Sequence, residues 1–275
     1  MLLYRTTEGP ILQAGGNFHS LPDSDWNALF NRDDLAGYLQ SSIGSAPVIP
    51  ALSPTTLLAP LDAQEVWAAG VTYFRSRTAR MEESKDAGGG SFYDRVYAAE
   101  RPEIFFKATA QRVVAPGGTM HLRSDSKWMV PEPELTLAVN ARGEIIGYTA
   151  GNDLSCRDIE GENPLYLPQA KCFKDCASIG PAILIQSAPP SQETAIVCEI
   201  LRQGATVFRG ETTLAQLKRT PQELVGFLYR DNVFRQGAYL MTGTGIVPPD
   251  DFTLKSGDEV QITITAIGTL TNWMA

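Results

Sequence analysis

Apolar and polar positions alternate along much of the chain. "VPEPELTLAV" (130–139) and "EVQITITAIGTL" (259–270) read as half-buried strands, because successive strand side chains point to opposite faces. The second is expected to be the last strand. "EVWAAGVTY" (65–73) and "RPEIFFKAT" (101–109) read as further strands, separated by turns rich in Gly, Pro and Asp. Helical spacing is rarer. "SDWNALFNRDDLAGYLQ" (24–40) predicts one or two helices, with Ser24 or Asp25 as the first N-cap. "TPQELVGFLYR" (220–230) predicts a clear helix: Thr220 caps it, Pro221 takes the first position and Glu223 completes a capping box. Leu224, Val225, Phe227 and Leu228 form its expected buried face. "SRTARMEES" (76–84) has helical composition and breaks at "KDAGGG", which reads as the hinge of a lid around Gly88. The proline-rich stretch 45–60 reads as an extended connector. The pattern predicts an α+β protein, with a small N-terminal domain over 1–60 and a β-rich C-terminal domain over 61–275.

One strand begins oddly. Glu132 and Glu134 lie two residues apart and so share a face. Two adjacent carboxylates on a partly buried face repel each other and resist desolvation. A proton, basic side chains or a cation must compensate. If Ala141 and Arg142 are the central residues of the following hairpin turn, Asp153 joins that face; a slip of one residue sends it to the other. Three carboxylates with no His or Cys among them suit a hard cation, Mg²⁺, Mn²⁺ or Ca²⁺, rather than zinc. The rival reading is a solvated acidic strand end.

Composition narrows the partners. The chain of 275 residues is long enough for a sizeable core, and its net charge of −8 argues against nucleic acid or an anionic membrane. No apolar run is long enough to span a bilayer, and "MLLYRTTEGP" lacks the features of a signal peptide. The four cysteines are too few and scattered for a disulfide scaffold, so they are expected as reduced thiols in the cytoplasm. Only two histidines are present, which leaves few ways to build a Ser-His-Asp or Cys-His centre.

"PEPEL", "GNDLSCRD", "QAKCF" and "MTGTGIVPP", in that order, resemble the fumarylacetoacetate hydrolase superfamily from about Glu65 to the C-terminus. The resemblance implies a mixed β-sandwich roll in which Glu132, Glu134 and Asp153 hold Mg²⁺. It matches Lys171 to the lysine downstream of the aspartate, and Gly243 and Thr244 to the pocket-lining late loop. Hydrolase and decarboxylase members carry a water-activating His and Glu after a "G-x-N-Y" turn. Here Thr72, Ser76 and Ala79 stand at the Asn, His and Glu positions, which counts against water-activated C–C cleavage. "RPEIFFKAT", "RSDSKW" and "ENPLYLPQAK" resemble instead the 2-keto-3-deoxypentonate dehydratases of that superfamily, of the archaeal 2-keto-3-deoxy-D-arabinonate type.

That resemblance implies a dehydratase turning a 2-oxo sugar acid into 2,5-dioxopentanoate. Glu103 would be the acid/base, Lys107 would sit near the substrate, and Lys171 and Thr244 would assist. Arg77 would contact substrate hydroxyls. Phe105 and Phe106, both substrate-binding candidates with Gly243, divide between core and pocket wall. Arg157 and Asp158 read as a structural ion pair and are left out of the site. The alternative is a C–C hydrolase of a 2,4-diketo-3-deoxy sugar acid or acylpyruvate. A non-catalytic metal-stabilised binding protein would be expected to lack Glu103, Lys107 and Lys171. Relatives imply a homodimer or homotetramer.

Overall fold

The computed structural model describes residues 1–73 and 95–275. Arg77, Ser76, Ala79 and the expected hinge at Gly88 lie outside the described residues.

Nineteen strands are present among the described residues. They are β1 Leu2–Thr6, β2 Gly9–Ala14, β3 Asn17–Ser20, β4 Val48–Ile49, β5 Leu57–Leu58, β6 Glu65–Gly70, β7 Glu103–Ala108, β8 Val113–Val114, β9 Thr119–Met120, β10 Met129–Val130, β11 Pro133–Val139, β12 Ile145–Asp153, β13 Ser155–Cys156, β14 Ala177–Ile185, β15 Ala195–Arg202, β16 Ala205–Thr213, β17 Ala238–Met241, β18 Glu259–Ile264 and β19 Gly268–Met274. A large mixed sheet runs β4-β3-β2-β1-β14-β12-β11-β17-β6-β7, with β5 on β1 and β8 on β14. A second sheet, β16-β15-β18-β19-β9, packs on it. The core between them is apolar, with Tyr148, Ile179 and Ile183 from one sheet and Ile196, Ile262 and Leu270 from the other. This is a sandwich in which inward residues alternate with polar ones on the outer strands.

The N-terminal residues extend the large sheet: β1 pairs antiparallel with β14, setting Leu3 opposite Ile183. A satellite apolar cluster of Tyr4, Ile11 and Ala182 packs there. The helices are short. Asp25 caps α1 (Trp26–Phe30) and Asp34 caps α2 (Leu35–Ser42), each accepting from a backbone N–H of the first turn. The helices α3 (Arg157–Glu162) and α4 (Leu167–Lys171) follow β13, and α5 (Pro221–Leu228) is capped by Thr220.

Three local expectations need correction. The stretch 259–270 is a hairpin rather than one strand, because Ala266 and Gly268 take positive φ between β18 and β19. Phe227 is only half-buried on α5, between the guanidinium groups of Arg101 and Arg230. Glu223 accepts from the side chain of Arg219 at 2.5 Å, so its carboxylate serves a neighbouring arginine.

The β11–β12 turn is also longer than two residues. A turn centred on Ala141 and Arg142 would set Glu134 opposite Thr149, whereas Glu134 stands opposite Gly151. A bulge at Val139 and hydrogen bonds from Asn140 around the loop to Glu144 make the difference. The offset is even, so the facing of side chains is unchanged.

Candidate active site

Glu132 lies just before β11, Glu134 stands at its head, and Asp153 closes β12 beside them, with Asp153 N–H donating to Glu132 O at 3.0 Å. All three carboxylates are buried, and one oxygen of each lies within 4.8 Å of the others. Burial, then Asp153, then Glu132 push the Glu134 carboxyl well above the ordinary carboxylate range, against the pull of Lys171 and a backbone bond from Gly243. Such a cluster calls for positive charge.

Part of it comes from the protein. Lys171, at the end of α4, donates to Glu132 Oε2 at 2.7 Å, Asp153 Oδ2 at 3.1 Å and Ser155 Oγ at 2.6 Å. Lys107 is fully buried. It is the extra residue at a bulge in β7. Its ammonium bonds Asp153 Oδ1 at 2.6 Å, Leu154 O at 2.8 Å and Lys171 O at 2.6 Å. Burial is the largest influence and works against the Lys107 charge, but the charge and hydrogen bond of Asp153, with Cys176, together hold the pKa above the ordinary lysine value.

Two charged residues were missed in the sequence. Arg157, 2% exposed, donates Nη2–H to Glu132 Oε1 at 2.8 Å. Glu160, one turn along α3, places Oε1 3.4 Å from Lys171 Nζ. Asp158 turns elsewhere and accepts from Ser126 Oγ and Lys127 N–H, so Arg157 and Asp158 do not form the expected local pair. The only signal for Arg157 was its place four residues after Asp153, directly after the short strand β13. Among the described residues, four buried carboxylates (Glu132, Glu134, Asp153, Glu160) thus face three cationic groups (Lys107, Lys171, Arg157), one negative charge in excess when all are ionised. The all-oxygen donor set and this excess fit a hard divalent cation held by Glu132, Glu134 and Asp153.

A narrow cleft opens onto these groups. Gly70, Phe105, Glu132, Arg157, Lys171 and Thr244 line it. A hollow of about 670 Å³ between Arg5, Trp26 and Asp62 is larger but lies on the N-terminal strands, away from the carboxylates. Gly243 follows β17 with φ +93°, and its N–H donates to Glu134 Oε2. A Cβ there would overlap Thr72 Oγ1 and approach Ala69 O to 2.9 Å, so only glycine lets the loop sit on Glu134. Thr72, at the position where asparagine is usual, donates to Thr242 O at 2.6 Å and ties the same loop down. The Thr244 hydroxyl is exchanged with the backbone of Ile246 at the cleft wall.

Glu103 begins β7 opposite Gly70, and any Cβ on residue 70 would overlap its Oε2. The carboxylate therefore lies over the cleft's glycine edge. Phe105 shares that face, with Lys171 Nζ 5.4 Å from its ring centroid. Phe106 points the other way, edge-on to Trp67 at 5.6 Å, so strand alternation removes it from the cleft. The four cysteines are free thiols; burial pushes Cys198 up to about 12 and Cys156 up to about 11.

Known proteins resemble this chain closely. The chain is 48% identical over 214 residues to a probable 2-keto-3-deoxyxylonate dehydratase of Haloferax volcanii, covering 78% of this chain and 73% of that one. It is 44% identical over 215 residues to the 2-dehydro-3-deoxy-D-arabinonate dehydratase of Saccharolobus solfataricus, covering 77% and 72%. A solved structure of 2-keto-3-deoxy-D-arabinonate dehydratase complexed with magnesium and 2,5-dioxopentanoate superposes with a TM-score of 0.83 at 33% identity, covering 100% of this chain and 98% of that one. Residues 66–275 match the C-terminal domain of fumarylacetoacetate (FAA) hydrolase. The chain belongs to the fumarylacetoacetate hydrolase family.

Proposed function

We propose that the protein is a Mg²⁺-dependent dehydratase that converts a 2-keto-3-deoxypentonate of arabinonate or xylonate type into 2,5-dioxopentanoate. The observation that carries this reading is the buried Glu132–Glu134–Asp153 triad in a chain 48% and 44% identical to two such dehydratases. A structure of similar fold bound to magnesium and 2,5-dioxopentanoate supports it further.

Glu132, Glu134 and Asp153 would hold the ion. When bound, Mg²⁺ would act as a Lewis acid towards the carboxylate and 2-oxo group of the substrate, which makes the C3 protons more acidic. The Glu103 carboxylate takes a C3 proton, and its acid form returns a proton to the departing C4 hydroxyl. Loss of water leaves a C3=C4 double bond. A proton lost from C5 and one gained at C3 give a C4–C5 enol, which tautomerises to the aldehyde. Lys171 and Arg157 line the cleft and offset negative charge as it develops on the substrate. Lys107 spends its donors on Asp153, Leu154 and Lys171, so we assign it to holding those groups in place. Phe105 and Thr244 form walls against the substrate, with Gly243 behind them. Arg77 remains a proposed contact for substrate hydroxyls.

The groups assigned here all fall within 61–275, which we take as the catalytic unit, with 1–60 as an accessory domain. No described helix is long and apolar enough to cross a membrane. The free thiols suit a reducing compartment, and we place the protein in the cytoplasm as a homodimer or homotetramer, which light scattering would test.

The test is a product assay with 2-keto-3-deoxy-arabinonate and -xylonate, both enantiomers, with Mg²⁺ and with EDTA. Formation of 2,5-dioxopentanoate that ceases in EDTA is expected. No turnover of any isomer, with pyruvate released from a 2,4-diketo-3-deoxy acid, would move the protein to the hydrolases.

A further inference from the structure

Arg219 lies outside the cleft and is only 7% exposed. Its guanidinium gathers four acceptors. Nη1 donates to Glu100 O at 2.8 Å and to Glu223 Oε1 at 2.5 Å. Nη2 donates to Ala99 O at 2.5 Å and to Val96 O at 3.3 Å. The three carbonyls close the helical turn over 95–98, where backbone acceptors have run out of helical partners. Glu223, in the first turn of α5, steadies the guanidinium.

The chain has little slack beyond this clamp. Arg101 sets its guanidinium 5.5 Å from the Phe227 ring centroid, buried Pro102 follows with its φ fixed by the ring, and Glu103 opens β7. The same stretch grips the exit of β6. Lys218 N–H donates to Thr72 O at 3.0 Å, and Leu217 forms an isolated bridge with Tyr73. Lys218 Nζ donates to Tyr97 O and lies 4.2 Å from that ring's centroid. Residues 217–219 thus fasten the strand that ends at Gly70 and the strand that begins at Glu103. Those two residues face each other across the ladder at the cleft edge.

We infer that Arg219 is a positioning residue for Glu103: by fixing the carbonyls of Val96, Ala99 and Glu100 it sets where the Glu103 carboxylate stands over Gly70. The inference rests on the reading of Glu103 as proton carrier. Lysine is a poor substitute, because a single ammonium cannot span these acceptors as a planar fork does.

The test compares wild type, Arg219→Met, Arg219→Lys, Glu103→Gln and the double variant Glu103→Gln/Arg219→Met, with 2-keto-3-deoxy-D-arabinonate and saturating Mg²⁺. Calorimetric Mg²⁺ affinity and thermal melting are measured alongside. Displacing a reacting group by about 1 Å costs on the order of 100-fold, so Arg219→Met is expected to lower kcat by about that factor while KM and the Mg²⁺ Kd stay near wild type. Arg219→Lys should lose about tenfold. In the Glu103→Gln background, removing Arg219 should cost no more than about twofold further, because its effect runs through Glu103. Near-wild-type kcat in Arg219→Lys, losses that multiply in the double variant, or a folded Arg219→Met that no longer binds Mg²⁺ would each overturn the inference. If Arg219→Met does not fold, Arg219→Lys decides by the same criteria. Full activity of Glu103→Gln alone would instead sink the proton-carrier reading.

Discussion

Replacing Lys107 by methionine tests the charge arrangement directly. The side chain is fully buried and makes three short bonds, one of them to the Asp153 carboxylate. Methionine keeps most of the volume and removes every donor. Breaking a buried ion pair by deleting one partner costs about 3–5 kcal/mol, since the other charge is left uncompensated. For a chain of this size each kcal/mol lowers the melting temperature by about 2–4 °C, so a loss of roughly 6–20 °C is expected in EDTA. The deletion also deepens the negative excess of the cluster. Mg²⁺ should therefore raise the melting temperature more in the variant than in wild type. Scanning fluorimetry of both proteins, with and without Mg²⁺, measures all four values. A loss under about 2 °C would match a solvated surface lysine and refute the buried placement. A smaller Mg²⁺ gain in the variant would refute the charge argument.

Three other outcomes follow from the same geometry. Glu103→Gln should lower turnover by about 10²–10⁴-fold and keep Mg²⁺ binding, whereas Glu132→Gln should lose both, as calorimetry and product assay will tell. Gly243→Ala adds a Cβ at positive φ against Thr72 and Ala69 and disturbs the N–H that holds Glu134; Mg²⁺ affinity should fall by about 10–100-fold, and an unchanged Kd would contradict that support. Because the folded Glu134 carboxyl lies above its unfolded value of about 4.5, its contribution to the stability of the cation-free protein is fully present below that value. It is lost as pH rises through the raised folded pKa. Mg²⁺ competes with that proton, so its stabilising effect should grow as pH rises across this window; a gain that shrinks with pH would be the wrong sign.

The carboxylate triad proposed to hold the metal was legible because strand alternation is a local rule. Even the mistaken turn did no harm: Glu134 faces Gly151 instead of Thr149, an even offset that keeps Asp153 on the ligand face. Alternation also separates Phe105 from Phe106, although which one met the cleft needed the sheet order. Arg157 was not legible. In sequence it stands beside Asp158 and looks like half of a local pair, while its partner Glu132 lies 25 residues away, just before β11. Lys107 shows another limit. Alternation sets it on the same face as Glu103 and Phe105, but that this face is buried over Asp153 depends on the sheet order. Glu223 fits the capping-box spacing, yet Arg219 took its carboxylate first.

The glycines at the cleft bear on how such an enzyme can diversify. Gly70 and Gly243 present bare backbone, and a larger residue at either would collide with Glu103 or with Thr72. Variation at these positions is costly, because the first methyl group already displaces Glu103 or Thr72. New substrate preferences must then arise at walls made of side chains, such as Phe105 and Thr244, where one substitution changes shape without moving the main chain. A laboratory library aimed at other sugar acids should spend its diversity there.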